Sequence, residues 1–209
     1  MTDRNQLALV FIIALIVGLV GGFLNISTWI VLIVLLILLF IFVYWPFISN
    51  VYLSTDMNKV EQFLLKRQKQ PLFHFYYAVA NNLEDEAEIA LDKLKQKYKS
   101  PQWTAAYTVS YAAYKGTLSQ HENDIKQIKQ ENLRNYFTAL MHIEQGELSK
   151  AQEMVPTIQK EWMKEEIQAA ICVKQGNTEK AKLHHDRAIQ LTKGMQRYLL
   201  VKKAEELAY

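Results

Sequence analysis

The run LALVFIIALIVGLVGGFLNISTWIVLIVLLILLFIFVYWPFI, residues 7–48, contains no charged residue. Its only polar interruption is the short stretch holding Asn25, Ser27 and Thr28, and its only proline is Pro46. At a helical rise of about 1.5 Å per residue, the two halves would be about 25 Å and 30 Å long. Those lengths are near the ~30 Å of a bilayer's hydrocarbon core. Lipid offers no partner for backbone amides, so two self-satisfied helices are the expected structure. The sequence therefore predicts a transmembrane helical hairpin, with helices over about 7–23 and 29–48, in a domain covering residues 1–50.

Outward from that run the composition changes abruptly. Only Asp3 and Arg4 are charged before Asp56, whereas the rest of the chain mixes Lys and Glu throughout. The net charge over 209 residues is +3, with no clustered basic face. Nucleic-acid binding is not expected from such a distribution. The single cysteine, Cys172, excludes an intrachain disulfide framework and reads as a small buried apolar residue. With 7 glycines, 4 prolines and abundant Ala, Leu, Glu, Lys and Gln, the chain after Leu53 is helical in composition.

A cleaved signal peptide is disfavoured, because Gly21-Gly22-Phe23 is a poor cleavage site and a second apolar run follows at once. Arg4 on one side, and Lys59, Lys66, Arg67 and Lys69 on the other, flank a loop without Lys or Arg. By the positive-inside rule both termini are expected to be cytoplasmic, in a multi-pass protein of a bacterial-type cell membrane. Ala14, Gly18 and Gly22 form a small-residue ridge at four-residue spacing. It serves either packing on the chain's own second helix, or homo-oligomerisation and docking on another membrane protein. No Asp, Glu, Lys, Arg or His lies within the spans, which counts against transport, proton relay or intramembrane proteolysis.

Residues 51–70 read as a juxtamembrane helix or linker. Ser54 or Thr55 is the expected N-cap, and Pro71 the expected stop. Met57, Val60, Phe63 and Leu64 share one face, which either lies on headgroups or packs on the helices that follow.

Beyond Pro71, helical runs stop at Asn82, Gly116, Gly146 and Gly176, spaced by thirty-four, thirty and thirty residues. Asn and Gly are the residues that a left-handed helix terminus prefers. Each stop is followed by a second, shorter helix. Ala87, Ala151 and Ala181 stand five residues after their stops, where a small side chain lets helices cross closely; His121 takes that place in the second unit. Ser100-Pro101 opens one helix, Ser119-Gln-His-Glu122 reads as a capping box, and Pro156 is expected to kink or shorten another helix. A final helix from Met195, bearing Lys202, Lys203, Glu205 and Glu206, reads as a cap with a polar outer face.

Repeated helical hairpins of this length are the pattern of an α-solenoid. In the fourth unit Gly176, Ala181, Ala188 and Leu191 resemble a tetratricopeptide repeat; in the third, Ala139, Gly146, Leu148 and Ala151 do. The resemblance covers about residues 71–194, with 195–209 as the capping helix. It implies an all-α, right-handed tetratricopeptide-like α-solenoid of about four hairpins plus a cap. It further implies a scaffold whose concave groove holds a protein partner, a helix or extended apolar segment. The groove positions carried over are Tyr76, Val79, Trp103, Ser110, Tyr136, Leu140, Glu166 and Ala170. These aromatics are either that groove or inter-repeat core.

Catalytic signatures are missing. There is no Gly-rich phosphate loop and no nucleophile elbow, and His121-Glu122 lacks the second histidine of a zinc-protease pattern. His184-His185-Asp186 reads as a helix face rather than a metal site. The expectation is a non-enzymatic, cofactor-free, membrane-anchored interaction scaffold. The alternative is an accessory subunit or assembly factor of a secretion or envelope complex, bound through the transmembrane hairpin.

Overall fold

The computed structural model describes residues 4–207, and among them every regular element is helical. The chain divides into two compact units, Met1–Ser54 and Thr55–Tyr209.

In the first unit α1 (Arg4–Phe23) and α2 (Thr28–Leu39) pack as a hairpin. Asn25, at φ 49°, turns the chain between them. The helices approach closely at Gly21, where an added Cβ would lie 2.5 Å from Val31 Cγ2. The second apolar run does not continue as one α-helix. After α2 it widens to a π-helical turn at Phe40–Tyr44, returns to α3 (Trp45–Ile48), and widens again at Ser49–Leu53. Pro46 has no amide hydrogen to donate, and π-turns are a known accommodation of such a defect.

The expected membrane spans and the multi-pass, cytoplasmic-termini localisation are therefore corrected. Among the described residues no helix is long and apolar enough to cross a membrane. The twelve residues of α2 reach only about 18 Å, and the apolar part of α1 about 25 Å, against ~30 Å of hydrocarbon. The hairpin nevertheless leaves large apolar side chains exposed, Phe11, Leu19 and Trp29 among them.

The second unit begins with α4 (Met57–Lys66). Its N-cap is Asp56, not Ser54 or Thr55: the Asp56 carboxylate accepts from Lys59 N at 3.2 Å. Val60, Phe63 and Leu64 are buried, and Phe63 meets Phe73 edge-on at 5.3 Å. Pro71 does not merely stop this helix. It opens the next one at its first position, where the missing amide hydrogen costs nothing.

Four helix pairs follow: α5 (Pro71–Ala80) with α6 (Glu84–Lys97), α7 (Pro101–Lys115) with α8 (Glu122–Gln127), α9 (Glu131–Glu144) with α10 (Leu148–Met154), and α11 (Glu161–Lys174) with α12 (Thr178–Gln190). One turn recurs in all four. Asn82, Gly116, Gly146 and Gly176 sit at φ 55°, 65°, 79° and 74°. At each, the amide just after the turn residue reaches back to the carbonyl five residues earlier: Leu83 N to Ala78 O at 2.9 Å, Thr117 N to Ala112 O at 2.9 Å, Glu147 N to His142 O at 2.8 Å, and Asn177 N to Cys172 O at 2.9 Å. That is the left-handed helix termination glycine and asparagine allow. Ala87, Ala151 and Ala181 are wholly buried at the crossings.

Two local expectations change. Ser119 does not cap with Glu122. The Glu144 carboxylate of α9 instead accepts from Leu118 N at 2.7 Å, Ser119 N at 3.1 Å and Ser119 Oγ at 2.6 Å, which holds a 3₁₀ turn at Leu118–His121. Past α10, a 3₁₀ turn with Pro156 ends the shortened helix. Buried Asn132 then holds the segment leading into α11, its Oδ1 accepting from Gln159 N at 2.6 Å and Lys160 N at 3.3 Å.

The last helix is α13 (Gly194–Leu207), with Lys203 and Glu205 on its exposed side. Tyr198 and Leu200 are buried, and α13 packs on α12 and also on α4 and α5, so the end of the unit meets its beginning. Residues 208–209 of the expected cap lie outside the described residues.

Candidate functional site

The repeats present two aromatic groups. The first joins α5, α6 and α7. Tyr107 lies 6.5 Å from Phe75, 5.9 Å from Tyr98 and 6.3 Å from Trp103, the last nearly parallel. Tyr111 extends the row to Tyr114, at 5.9 Å. Residues 103, 107, 111 and 114 share one face of α7 because three- and four-residue steps return to the same side of a helix. Tyr76 stands beside Phe75 at 5.8 Å. Burial, followed by the neighbouring Tyr76 and Tyr98 hydroxyls, pushes the Tyr107 phenol up to about 12. Trp103 is the exposed member, with half its surface open.

The second group joins α9 and α11. Tyr136 lies 5.4 Å from Phe137 and 5.7 Å from Trp162. Tyr136 and Leu140 are half-buried between two clusters, one centred on Val109 and Phe137 and the other on Ile158 and Ile167. Burial raises the Tyr136 phenol far above its usual range, and the Glu166 carboxylate adds to that.

The remaining groove positions have other attachments. Val79 packs at the edge of the Phe75–Leu91 cluster, and Ala170 at the edge of the Ile167 cluster. Ser110 Oγ donates back to Ala106 O at 2.8 Å. Thus Tyr136, Leu140 and Ala170 are brought together, and Tyr76 and Trp103 form part of the other group. In the first unit, Ala14 lines an apolar cavity of about 230 Å³ between α1 and α2, with Ile13, Leu35 and Phe42 among its walls. Gly18 and Gly22 face open space.

Glu166 is the position whose surroundings the sequence did not reveal. It is 1% exposed, as is His185 of α12 beside it. His185 Nδ1 hydrogen-bonds Glu166 Oε1, and Lys203 Nζ of α13 donates to Glu166 Oε2 at 2.8 Å. His185 Nε2 donates to the Leu200 carbonyl at 2.9 Å. Burial penalises the Glu166 carboxylate, but Lys203 and His185 outweigh that penalty and hold its proton affinity below the usual carboxylate range. A second polar junction involves Tyr198, whose hydroxyl accepts from Asn81 Nδ2 and donates to Glu61 Oε1, both at 2.9 Å. A signal was present in sequence: Ala181, His185 and Ala188 fall on one buried stripe, which sets His185 apart from its exposed neighbours.

Among the described residues no group of three His, Cys, Asp or Glu side chains could hold a metal ion. His184 pairs with Glu165 at 2.6 Å, and Cys172 is buried. The arrangement offers a partly exposed aromatic row on α7 and, apart from it, a buried ion cluster joining α11, α12 and α13. Compared with protein families, curated proteins and solved structures, the chain matches none.

Proposed function

We propose that residues 71–194 are a right-handed, tetratricopeptide-like α-solenoid that serves as a protein–protein interaction scaffold. The four recurring left-handed turns and the three buried crossing alanines support the repeat reading. The observation that carries the interaction reading is Trp103, a large aromatic left half exposed and stacked on Tyr107. Buried aromatics are ordinary core; an exposed, pre-oriented one is the kind of side chain that dominates interface energies. The partner is a helix or an extended apolar segment, since the row offers rings and hydroxyls rather than a cluster of cations. On this reading the chain carries no catalytic role and needs no cofactor. The hairpin-bound alternative, an accessory subunit or assembly factor, loses its membrane-spanning element and is set aside.

The test is crosslinking with mass spectrometry on cells carrying the wild-type chain, Trp103→Ala, or Trp103→Ala with Tyr136→Ala. Loss of a specific crosslinked partner with helical content unchanged supports the reading. A partner retained at wild-type level in the folded double variant contradicts it.

A further inference from the structure

We propose that the aromatic face of α7 holds a proline-rich segment in the polyproline II conformation, with a cationic residue beside its prolines. The proposal rests on the reading of this unit as an interaction scaffold, and narrows the partner from a helix or extended apolar segment to one backbone type.

Trp103, Tyr107 and Tyr111 follow one another at four-residue steps on one face of α7, along about 12 Å of helix axis. Among the described residues none accepts a hydrogen bond from Trp103 Nε1, Tyr107 Oη or Tyr111 Oη. Nor are these donors sealed from solvent, since the one buried side-chain nitrogen or oxygen without a partner is Arg197 Nε. They are open to an incoming acceptor. A helical ligand bonds its carbonyls within its own turns. A strand ligand needs a sheet edge, and the described residues contain no strand. A polyproline II segment has no internal hydrogen bonds, so its carbonyls are free to accept, and at about 3.1 Å per residue about four residues reach from Trp103 to Tyr111.

The rings provide the matching apolar surface. Phe75 lies 6.5 Å from both Tyr107 and Tyr111 and is 2% exposed. It floors the gap between those two rings, which leaves an aromatic-walled slot for a pyrrolidine ring. Half-exposed Trp103, stacked on Tyr107, extends the wall. Proline arrives with φ already fixed and loses little conformational freedom on docking. Charge gives the segment its polarity. Burial raises the Tyr111 phenol, and the nearby Glu88 carboxylate adds to it. Glu88 is exposed and makes no ion pair among the described residues, whereas Glu84 is taken by Lys115. At the other end Lys97 lies over the Tyr98 ring, 5.4 Å from its centre. The ligand's cation therefore belongs at the Tyr111 end.

The probe is fluorescein-labelled decaproline with a terminal arginine, titrated into the full-length chain by fluorescence anisotropy. Two peptides of the same charge serve as controls, an alanine-rich helix former and a Gly/Ser-rich coil. The proline peptide should bind about tenfold more tightly than either. Tyr107→Phe with Tyr111→Phe keeps both rings and removes both hydroxyls; it should weaken that binding about tenfold with circular dichroism unchanged. Glu88→Gln should abolish the advantage of the arginine peptide over plain decaproline. Binding no tighter than either control, binding undiminished in the folded double variant, or an arginine advantage that survives Glu88→Gln overturns the proposal. If the double variant does not fold, the three peptides compared on the wild-type chain decide alone. The scaffold reading fails on a different result, a cellular partner retained by the folded Trp103→Ala, Tyr136→Ala chain. A partner lost there, with the helical peptide bound and the proline peptide not, leaves the scaffold standing and overturns the polyproline assignment.

Discussion

Lys203 Nζ lies 2.8 Å from Glu166 Oε2, joining the last helix to α11 across 37 residues of sequence. Glu166 has almost no exposed surface, whereas Lys203 keeps 45% of its side chain in solvent. The asymmetry sets the cost of breaking the pair. Removing the cation strands a buried carboxylate with only His185 beside it.

Lys203→Met should lower stability by about 2 kcal/mol, below the ~3–5 kcal/mol of a wholly buried pair because half of the lysine is already hydrated. Urea unfolding followed by circular dichroism measures it. Lys126→Met, whose exposed partner is Glu122, is the control and should leave stability nearly unchanged.

Acid should act through the same residue. The Glu166 carboxyl holds its proton less tightly in the folded chain than in the unfolded chain. Its ionised form therefore contributes stability that is present above the ordinary carboxylate range and lost as pH falls through the lower folded value. Stability measured from neutral pH downward should fall more steeply in wild type than in Glu166→Gln, whose acid limb should be flatter. Parallel limbs would contradict the assignment.

The helix-terminating turns predict an ordered set of substitutions. Gly176→Ala and Gly146→Ala force a Cβ into a left-handed backbone and should each cost about 1 kcal/mol, although nothing lies within 4 Å of the added atom. Asn82→Gly relieves the same restriction at φ 55° and should be neutral or stabilising by up to about 0.5 kcal/mol. Thermal unfolding of the three variants gives the ranking.

Much of the second unit's helix pairing was legible because its punctuation is local. A glycine or asparagine at a positive φ, a proline at a helix start and an alanine at a crossing each act on their own neighbours, so Gly116, Pro101 and Ala181 could be placed from sequence. The long-range assignments were harder. Glu166 was placed on an open groove, but its surroundings depend on Lys203 and His185, whose proximity no periodicity encodes. Tyr198 joins Glu61 across 137 residues, so the inner contacts of α13 could not be read from its own sequence. The capping role of Glu144 had the same origin, a carboxylate arriving from α9 across 25 residues of sequence. In the first unit apolarity was evident. What it did not reveal was the π-helical widening around Pro46 that breaks the second run.

The most direct test of the interaction reading uses two side chains of equal exposure. Trp103 and Ile89 are each half exposed, the first in the aromatic row on α7 and the second on α6. A photoreactive phenylalanine analogue placed at either position, in the full-length chain in cells, reports what touches that face. The account predicts one discrete crosslinked protein from position 103 and at least tenfold less of it from position 89. Equal yields from the two positions, or crosslinks at 89 alone, would contradict it.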